Sequence, residues 1–220
     1  MISSQFSFEI EGPIAMFTTP MSKLNAECIS YPFPTYSAIC GMLRSIYNRK
    51  TIIWVPERIR IMNEIRTIGI SKTTPSYTFS WHNKRQRMIF TYLENVRYQI
   101  LAHYELNDAY MAKYNYGFVH DDAINNELYM GGSNIVSLGR RECAGFVKKK
   151  DWNTGEGFYD DSGESEPFYI FKEFEYNKRI NGHIKYATFH EIRMNNGIID
   201  YAQRFPQISR GWENAIDNTK

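Results

Sequence analysis

The chain has 220 residues, of which 43% are hydrophobic and 23% are charged, and its formal net charge is +2. This composition is typical of a globular protein with a sizeable core, and no apolar run is long enough to cross a bilayer, so we expect no membrane partner. Residues 1–10 lack a basic segment followed by an apolar one, so we predict no secretory signal and a cytoplasmic protein.

The sequence predicts no metal and no cofactor. The three cysteines, Cys28, Cys40 and Cys143, are too widely spaced for a disulfide framework or a structural zinc site. The acidic stretch at 151–167 lacks the ligand spacing of a calcium loop. The chain also contains no P-loop, no G-x-S-x-G and no H-E-x-x-H.

The chain begins with a predicted strand that leads into a polar loop. Phe6, Phe8 and Ile10 alternate with polar residues, which is the pattern of a strand with one buried face. The pair Gly12-Pro13 is expected to end this strand. The loop that follows brings Lys23 close in sequence to the proline turn.

A helix is predicted after two prolines. Pro32 and Pro34 favour an extended entry, and Thr35 or Ser37 is suited to cap the helix. Apolar residues then recur at spacings of three and four, which places them on one face: Tyr36, Ile39, Leu43 and Ile46.

Tyr47 closes this apolar stripe, beside Arg44, Arg49 and Lys50. Its hydroxyl either meets a phosphate together with these cations or belongs to a core tyrosine whose hydroxyl is satisfied at the rim. Local pattern leaves both interpretations open. Arg44 is a candidate contact for such a phosphate.

Extended segments are predicted at 52–55 and 59–62, with Arg58 and Arg60 on one face. Residues 71–87 are polar and basic and include three aromatic residues, which indicates a protruding hairpin arm. Such an arm either contacts single-stranded RNA or is a solvated charged loop. Its candidate RNA contacts are Lys84, Arg85 and Arg87.

Two alternating runs, 88–93 and 96–105, are separated by Glu94-Asn95, where we predict a hairpin turn. Residues 107–134 show poor periodicity and predict a short helix and loops. His120 is placed on such a loop, next to Asp121 and Asp122, where a histidine is either simply exposed or part of a reactive site.

Residues 138–147 form a basic turn punctuated by glycines, in which Arg140 and Arg141 are candidate phosphate contacts. The acidic stretch 151–167 predicts an exposed connector and an internal boundary. Strands are predicted at 168–176, 184–193 and 198–201, with a hairpin turn at Asn196-Gly197. The predicted domains are residues 1–147 and residues 148–220.

Three stretches together resemble the fifth CRISPR-associated (Cas) protein family in its type I-C form: Phe8–Gly12 with Ala15–Pro20, Ser30–Thr35 with Gly41–Tyr47, and Leu138–Cys143. The resemblance implies an α+β fold with an RRM-like (ferredoxin-like) N-terminal domain and a small C-terminal antiparallel β domain. It covers most of residues 6–147.

The resemblance also implies a function. Members of this form cut precursor CRISPR RNA in the repeat without a metal, and they remain on the 5′ handle of the mature CRISPR RNA as a subunit of the Cascade antiviral complex. The implied partners are therefore precursor and mature CRISPR RNA and the other type I-C Cascade subunits. The family's catalytic tyrosine falls on Tyr47 and its histidine on His120, whereas the adjacent lysine falls on Val119.

The implied reaction is attack of a ribose 2′-OH on the neighbouring phosphorus, which needs a base, an acid and positive charge. His120 suits acid–base work near neutral pH, and Tyr47 is better suited to donate a proton or orient the phosphate. Valine supplies neither a proton nor a charge. Lys113, Arg140 and Arg141 are the candidates to replace the lysine.

Two other functions fit the sequence. In the first, the chain caps the 5′ handle without cutting, while another nuclease processes the RNA; Val119 favours this interpretation. In the second, it is an RRM-like RNA binder unrelated to CRISPR, but the RNP aromatic signature is absent.

Overall fold

The structure is a computed structural model that describes residues 4–20, 22, 27–75, 85–107, 120–176, 184–202 and 207–211. Lys23, Lys84, Lys113 and Val119 lie outside the described residues. Arg85 is described in its backbone alone.

The described residues form two helices and eleven strands. The helices are α1 (Tyr36–Ile46) and α2 (His120–Met130). The strands are β1 (Phe6–Ala15), β2 (Glu27–Ile29), β3 (Ile52–Ile61), β4 (Arg66–Pro75), β5 (Arg85–Leu106), β6 (Val136–Ser137), β7 (Ala144–Lys149), β8 (Phe168–Tyr176), β9 (Ile184–Ile192), β10 (Ile198–Asp200) and β11 (Gln207–Gly211).

The main sheet has the strand order β10-β3-β5-β1-β7-β6, and neighbours along this path are antiparallel. Within it, β1, α1, β3, β5, α2 and β7 follow the β-α-β-β-α-β order of a ferredoxin-like unit. Strands β8, β9 and β11 form a separate antiparallel sheet. The predicted α+β class is confirmed.

Helix α1 forms as the sequence predicted. The Thr35 hydroxyl accepts a hydrogen bond from the backbone N–H of Ala38 at 3.3 Å, which satisfies one of the free donors of the first turn. The buried residues of α1 lie on the side toward the sheet: Ile39, Met42, Leu43 and Ile46. It packs on the side of the sheet to which Phe6, Phe8 and Ile10 point, where the main core lies.

Strand β1 is longer than predicted, because Gly12-Pro13 does not end it. The strand continues to Ala15, which pairs with Leu93 on β5. Strand β7 pairs with β1 only from Phe8 to Glu11, so Pro13 lies past that ladder, where a missing N–H is tolerated.

The hairpin predicted at Glu94-Asn95 is wrong, because β5 runs through both residues as one strand. Asn95 takes a φ of +48°, but no glycine follows it to complete a tight two-residue turn. The first part of β5 pairs with β4, and the remainder pairs with β1 and β3. The described ends of the predicted arm belong to the β4–β5 ladder, which reaches Pro75 and Arg85; residues 76–84 lie outside the description.

The acidic stretch 151–167 connects β7 to β8 and is exposed or half-buried along its length, as predicted, but one of its acids is anchored to the sheet. Its Asp160 binds Arg60, a buried residue on the face of the sheet opposite the helices, at 2.6 Å. The local sequence showed the acidic residues but not the buried arginine that attracts one of them.

The chain after position 147 also contributes to the first sheet and to its core. Strand β10 pairs with β3, whereas β9 pairs with β8 and β11, so the predicted hairpin of β9 with β10 is wrong. Its tight turn does form, with positive φ at Asn196 and Gly197 and a single bridge between Asn195 and Ile198. Ile192 and Ile199 belong to the same core cluster as β1. The division into domains 1–147 and 148–220 stays a prediction.

Candidate active site

Tyr47 is fixed at the end of α1 by its backbone. Its N–H donates to the carbonyl of Leu43 at 2.9 Å and ends the helix. Its own carbonyl accepts a hydrogen bond from the indole Nε1 of Trp54 on β3 at 2.8 Å. The phenol ring therefore leaves the helix in a defined direction, toward the start of α2.

His120 begins α2, and the expected loop position is wrong. The imidazole is buried and contacts two elements at once. Its Nδ1 lies 2.9 Å from the hydroxyl of Tyr47, and its Nε2 lies 3.2 Å from the hydroxyl of Thr51. The fold thus joins the phenol and the imidazole, 73 positions apart in the chain, by a direct hydrogen bond.

The residue after the histidine holds the start of α2 against the sheet. The hydroxyl of Tyr104 on β5 donates to Asp121 Oδ1 at 2.7 Å, and Ser4 donates to Oδ2 at 2.6 Å. The Tyr104 ring lies edge-on to the imidazole of His120, 5.6 Å between centroids, and stacks on Phe6. Aromatic contacts therefore surround the imidazole.

These surroundings lower the pKa of His120. Burial is the main cause, because it penalises the charged imidazolium, and the positive charge of Arg49 acts in the same direction. Asp121 opposes the shift but does not outweigh it. His120 is consequently neutral at neutral pH, so one ring nitrogen donates and the other accepts.

Arg49 is an exposed cation beside this pair. Its guanidinium carbon lies 5.5 Å from the centroid of the Tyr47 ring. The sequence placed Arg49 beside Tyr47 as a cation that could meet a phosphate, but Arg49 was not among the predicted RNA contacts. Arg44, which we did choose, is exposed in the last turn of α1.

Arg140 belongs to a different cluster. Its guanidinium lies 4.9 Å from the centroid of the Phe90 ring and pairs with Glu142 at 3.4 Å. Glu142 also contacts Lys72 and the hydroxyl of Tyr92. Every member of this group therefore has a partner.

The turn that carries Arg140 depends on a glycine. Gly139 has a φ of +88°, and a Cβ at this position would lie 2.0 Å from the carbonyl oxygen of Met16. The turn is thereby pressed against the end of β1. Arg141 is exposed on the same turn, and Arg87 is exposed on β5.

The structure does not bring Arg140 to the Tyr47–His120 pair. Arg140 contacts Phe90 near the start of β5, whereas the pair lies beside Tyr104 near its end. The described contacts of Arg140 are thus with Phe90 and Glu142 and not with the pair, so they do not support Arg140 as the replacement for the missing lysine.

Comparison with protein-family models shows the family to which the chain belongs. The model described as CRISPR-associated protein (Cas_Cas5), named Cas_Cas5d, matches residues 6–201. The chain belongs to this family. The resemblance to the Cas5 family that the sequence suggested is confirmed, and the type I-C subtype stays a prediction.

Two solved structures similar to this Cas5 chain show the same fold. A CRISPR-associated protein is 22% identical with a TM-score of 0.67. A functionally uncharacterized protein, SMU1763c from Streptococcus mutans, is 23% identical with a TM-score of 0.65. In both cases the match covers 91% of this chain and 93% of the other. No curated protein matches this chain.

The described part of this Cas5 chain contains neither a metal-binding cluster nor a membrane-spanning helix. Within it, no group of three or more histidine, cysteine, aspartate or glutamate side chains is placed to hold a metal ion. Neither α1 nor α2 is long and apolar enough to span a membrane.

Proposed function

We propose that this Cas5 chain is a metal-independent endoribonuclease that cuts precursor CRISPR RNA in the repeat. It then stays on the 5′ handle as a subunit of a type I-C Cascade complex, together with the other subunits. The observation that supports the proposal best is the 2.9 Å hydrogen bond between Tyr47 and His120. Membership of a CRISPR-associated family supports CRISPR RNA as the substrate.

The pair is suited to move protons in both directions during RNA cleavage. Neutral His120 accepts the 2′-OH proton at Nε2, and the 2′-oxygen bonds to phosphorus. As the bond from phosphorus to the 5′-oxygen breaks, Tyr47 donates its proton to that oxygen. The Nδ1 proton of His120 then passes to Tyr47 through their hydrogen bond, and the products carry a cyclic phosphate and a 5′-hydroxyl.

The pair itself is buried. Tyr47 and His120 are only 5% and 4% exposed, and the exposed residues that follow α1, Asn48 to Lys50, are the nearest in sequence to Tyr47 that RNA could contact. Exclusion of water strengthens electrostatic interactions with a bound phosphate. The hydroxyl of Thr51 is hydrogen-bonded to Nε2 of His120. The 2′-OH of the scissile ribose therefore has to replace the Thr51 hydroxyl at Nε2 before the proton transfer.

The test is cleavage of the chain's own repeat RNA in the presence of EDTA. We expect the wild-type protein to cut at one position and to leave a 2′,3′-cyclic phosphate and a 5′-hydroxyl. The matched substrate carries a single 2′-deoxy residue at the cleavage position and should remain intact, because the attacking hydroxyl is missing. Uncut all-ribose RNA after long incubation would contradict the enzyme proposal.

The burial of the pair favours a second candidate, a subunit that caps the 5′ handle without cutting. In this case Tyr47 and His120 only anchor α2 to α1 and β3, and Val119 needs no replacement. The discriminating result is tight binding of both RNAs without cleavage of either. A separate repeat-cutting nuclease encoded nearby would support the same conclusion.

For either candidate we propose that RNA binding depends on basic side chains, and that affinity therefore falls steeply with salt. The proposed contacts are Lys23, Arg44, Lys84, Arg85, Arg87, Arg140 and Arg141. Arg140 already pairs with Glu142, so we expect it to contribute less than Arg87 or Arg141. The salt dependence of binding measures each contribution.

A further inference from the structure

The turn between α1 and β3 places two exposed cations next to the Tyr47–His120 pair. This turn contains Arg49, Lys50 and Thr51, and Thr51 itself bonds to the imidazole. The guanidinium of Arg49 lies over the Tyr47 ring. Its charge also lowers the pKa of His120, so it acts on both members of the pair.

Arg49 is one of the described arginines that have no carboxylate partner in an ion pair. Within the described residues its side chain makes the ring contact and no ion pair, whereas five other arginines pair with an aspartate or glutamate: Arg58, Arg60, Arg66, Arg140 and Arg193. An unpaired guanidinium has its donors available to an incoming anion. Arg49 is therefore a cation beside the reactive pair that no described acid neutralises.

RNA cleavage needs a cation at this point. Attack of the 2′-oxygen adds negative charge to the phosphate oxygens, and neither Tyr47 nor neutral His120 compensates it. Val119, at the position of the family's lysine, is apolar. A guanidinium matches two phosphate oxygens with two parallel hydrogen bonds, which an ammonium group does not do.

We infer that Arg49 binds the scissile phosphate and supplies the positive charge that Val119 lacks. The inference rests on the proposed nuclease function, and it adds a residue to that site. It also locates the RNA: the phosphate lies on the exposed side of the Tyr47 ring, and the ribose lies toward His120.

The test compares three variants. Arg49→Ala removes the charge, and Arg49→Lys keeps the charge but loses the guanidinium that forms two parallel hydrogen bonds. The control, Arg193→Ala, removes an exposed arginine that pairs with Glu191. Removal of one transition-state donor lowers rates by about 10²–10³, so we expect this loss in the single-turnover rate of Arg49→Ala. Arg49→Lys should recover part of the rate, and Arg193→Ala should cleave like wild type.

A second measurement separates this inference from the nuclease proposal. The 2′-deoxy RNA cannot be cut, so its dissociation constant reports the phosphate contact alone. We expect Arg49→Ala to raise this constant about 3- to 10-fold, since a charge-assisted hydrogen bond is stronger than a neutral one. Arg193→Ala should leave it unchanged.

The outcomes are distinct. If wild-type protein cuts RNA but Arg49→Ala cuts equally fast, the inference is overturned and the nuclease proposal stands. If wild-type protein cuts nothing, the nuclease proposal fails, and the affinity for 2′-deoxy RNA decides whether Arg49 contacts a phosphate there. A loss of thermal stability that alone explains the effect of Arg49→Ala, without recovery in Arg49→Lys, would also overturn the inference.

Discussion

Two polar clusters lie on opposite faces of the main sheet, and they differ in whether the arginine has an acidic partner. On the face without helices, the buried guanidinium of Arg60 meets Asp160, Gln99 and the carbonyl of Gly155. On the helix face, the hydrogen bond between Tyr47 and His120 is neutral, and Arg49 beside it has no described acid. In the first cluster the cation is neutralised by a carboxylate, whereas in the second the cation is available to bind an anionic group such as a phosphate.

The difference shows which cluster holds the chain together. Hydrogen bonds from Arg60 hold the pKa of Asp160 below its usual range, as expected for a carboxylate satisfied by a guanidinium. The pair attaches the stretch around 160 to the sheet. A buried cation with all its partners present stabilises a fold mainly because loss of any partner is costly. The Tyr47–His120 pair, by contrast, contains no ionised group, and its neutral imidazole can act as a base.

The largest effect is expected in the cleavage rate. Loss of a general acid or base costs about 10²–10⁴ in rate, so His120→Ala and Tyr47→Phe should each lower single-turnover cleavage within this range. Tyr36→Phe is the control, because Tyr36 lies at the other end of α1 and is exposed. Normal cleavage by both site variants would remove the catalytic role from this pair.

The next largest effect is on stability, at the opposite face. Asp160→Ala leaves the buried charge of Arg60 without its carboxylate, which should lower the free energy of unfolding by about 3 kcal/mol. Asp200→Ala is the control, since Arg58 is half exposed and such a pair contributes only about 0–1 kcal/mol. Urea unfolding of both variants measures the difference, and equal losses would contradict the distinction between the two pairs.

A smaller effect concerns pH. The folded protein lowers the pKa of His120, so as pH falls below about 6.5 the unfolded chain binds a proton before the folded chain does. Stability contributed by the neutral imidazole is present above this pH and is lost below it, down to the folded pKa. We expect His120→Asn to lose less stability between pH 7 and pH 5 than wild type. An identical pH dependence of unfolding would contradict the burial of a neutral imidazole.

The smallest effect is expected at Thr51. Thr51→Val removes one hydrogen bond to the imidazole and should cost about 1 kcal/mol of stability. Thr154→Val is a matched control, because its hydroxyl bonds a carbonyl in an exposed turn. Thermal unfolding compares the two variants. A larger loss in the control would show that the imidazole does not depend on Thr51 for its position.

Local sequence signals predicted the elements that local interactions determine. Thr35 caps α1 as expected, and Asn196-Gly197 forms its turn because both residues tolerate positive φ. The choice of Tyr47 and His120 came from a family resemblance, and the structure then placed the two in contact. Their catalytic role stays a proposal.

Features that depend on distant partners were not predictable. The continuity of β5 through Asn95 depends on β4, β1 and β3, which pair with different parts of it. Burial of His120 depends on Tyr104 and Tyr47, and the position of the acidic stretch depends on Arg60. In each case the deciding partner lies far along the chain, so no local pattern reveals it.

The central claim is that Tyr47 and His120 act as one unit, and a double-mutant cycle on the single-turnover cleavage rate tests it most directly. We predict that Tyr47→Phe combined with His120→Ala cuts no more slowly than the slower of the two single variants, because either change interrupts the same proton transfer. Losses that multiply in the double variant would show that the two side chains act independently and would contradict the account.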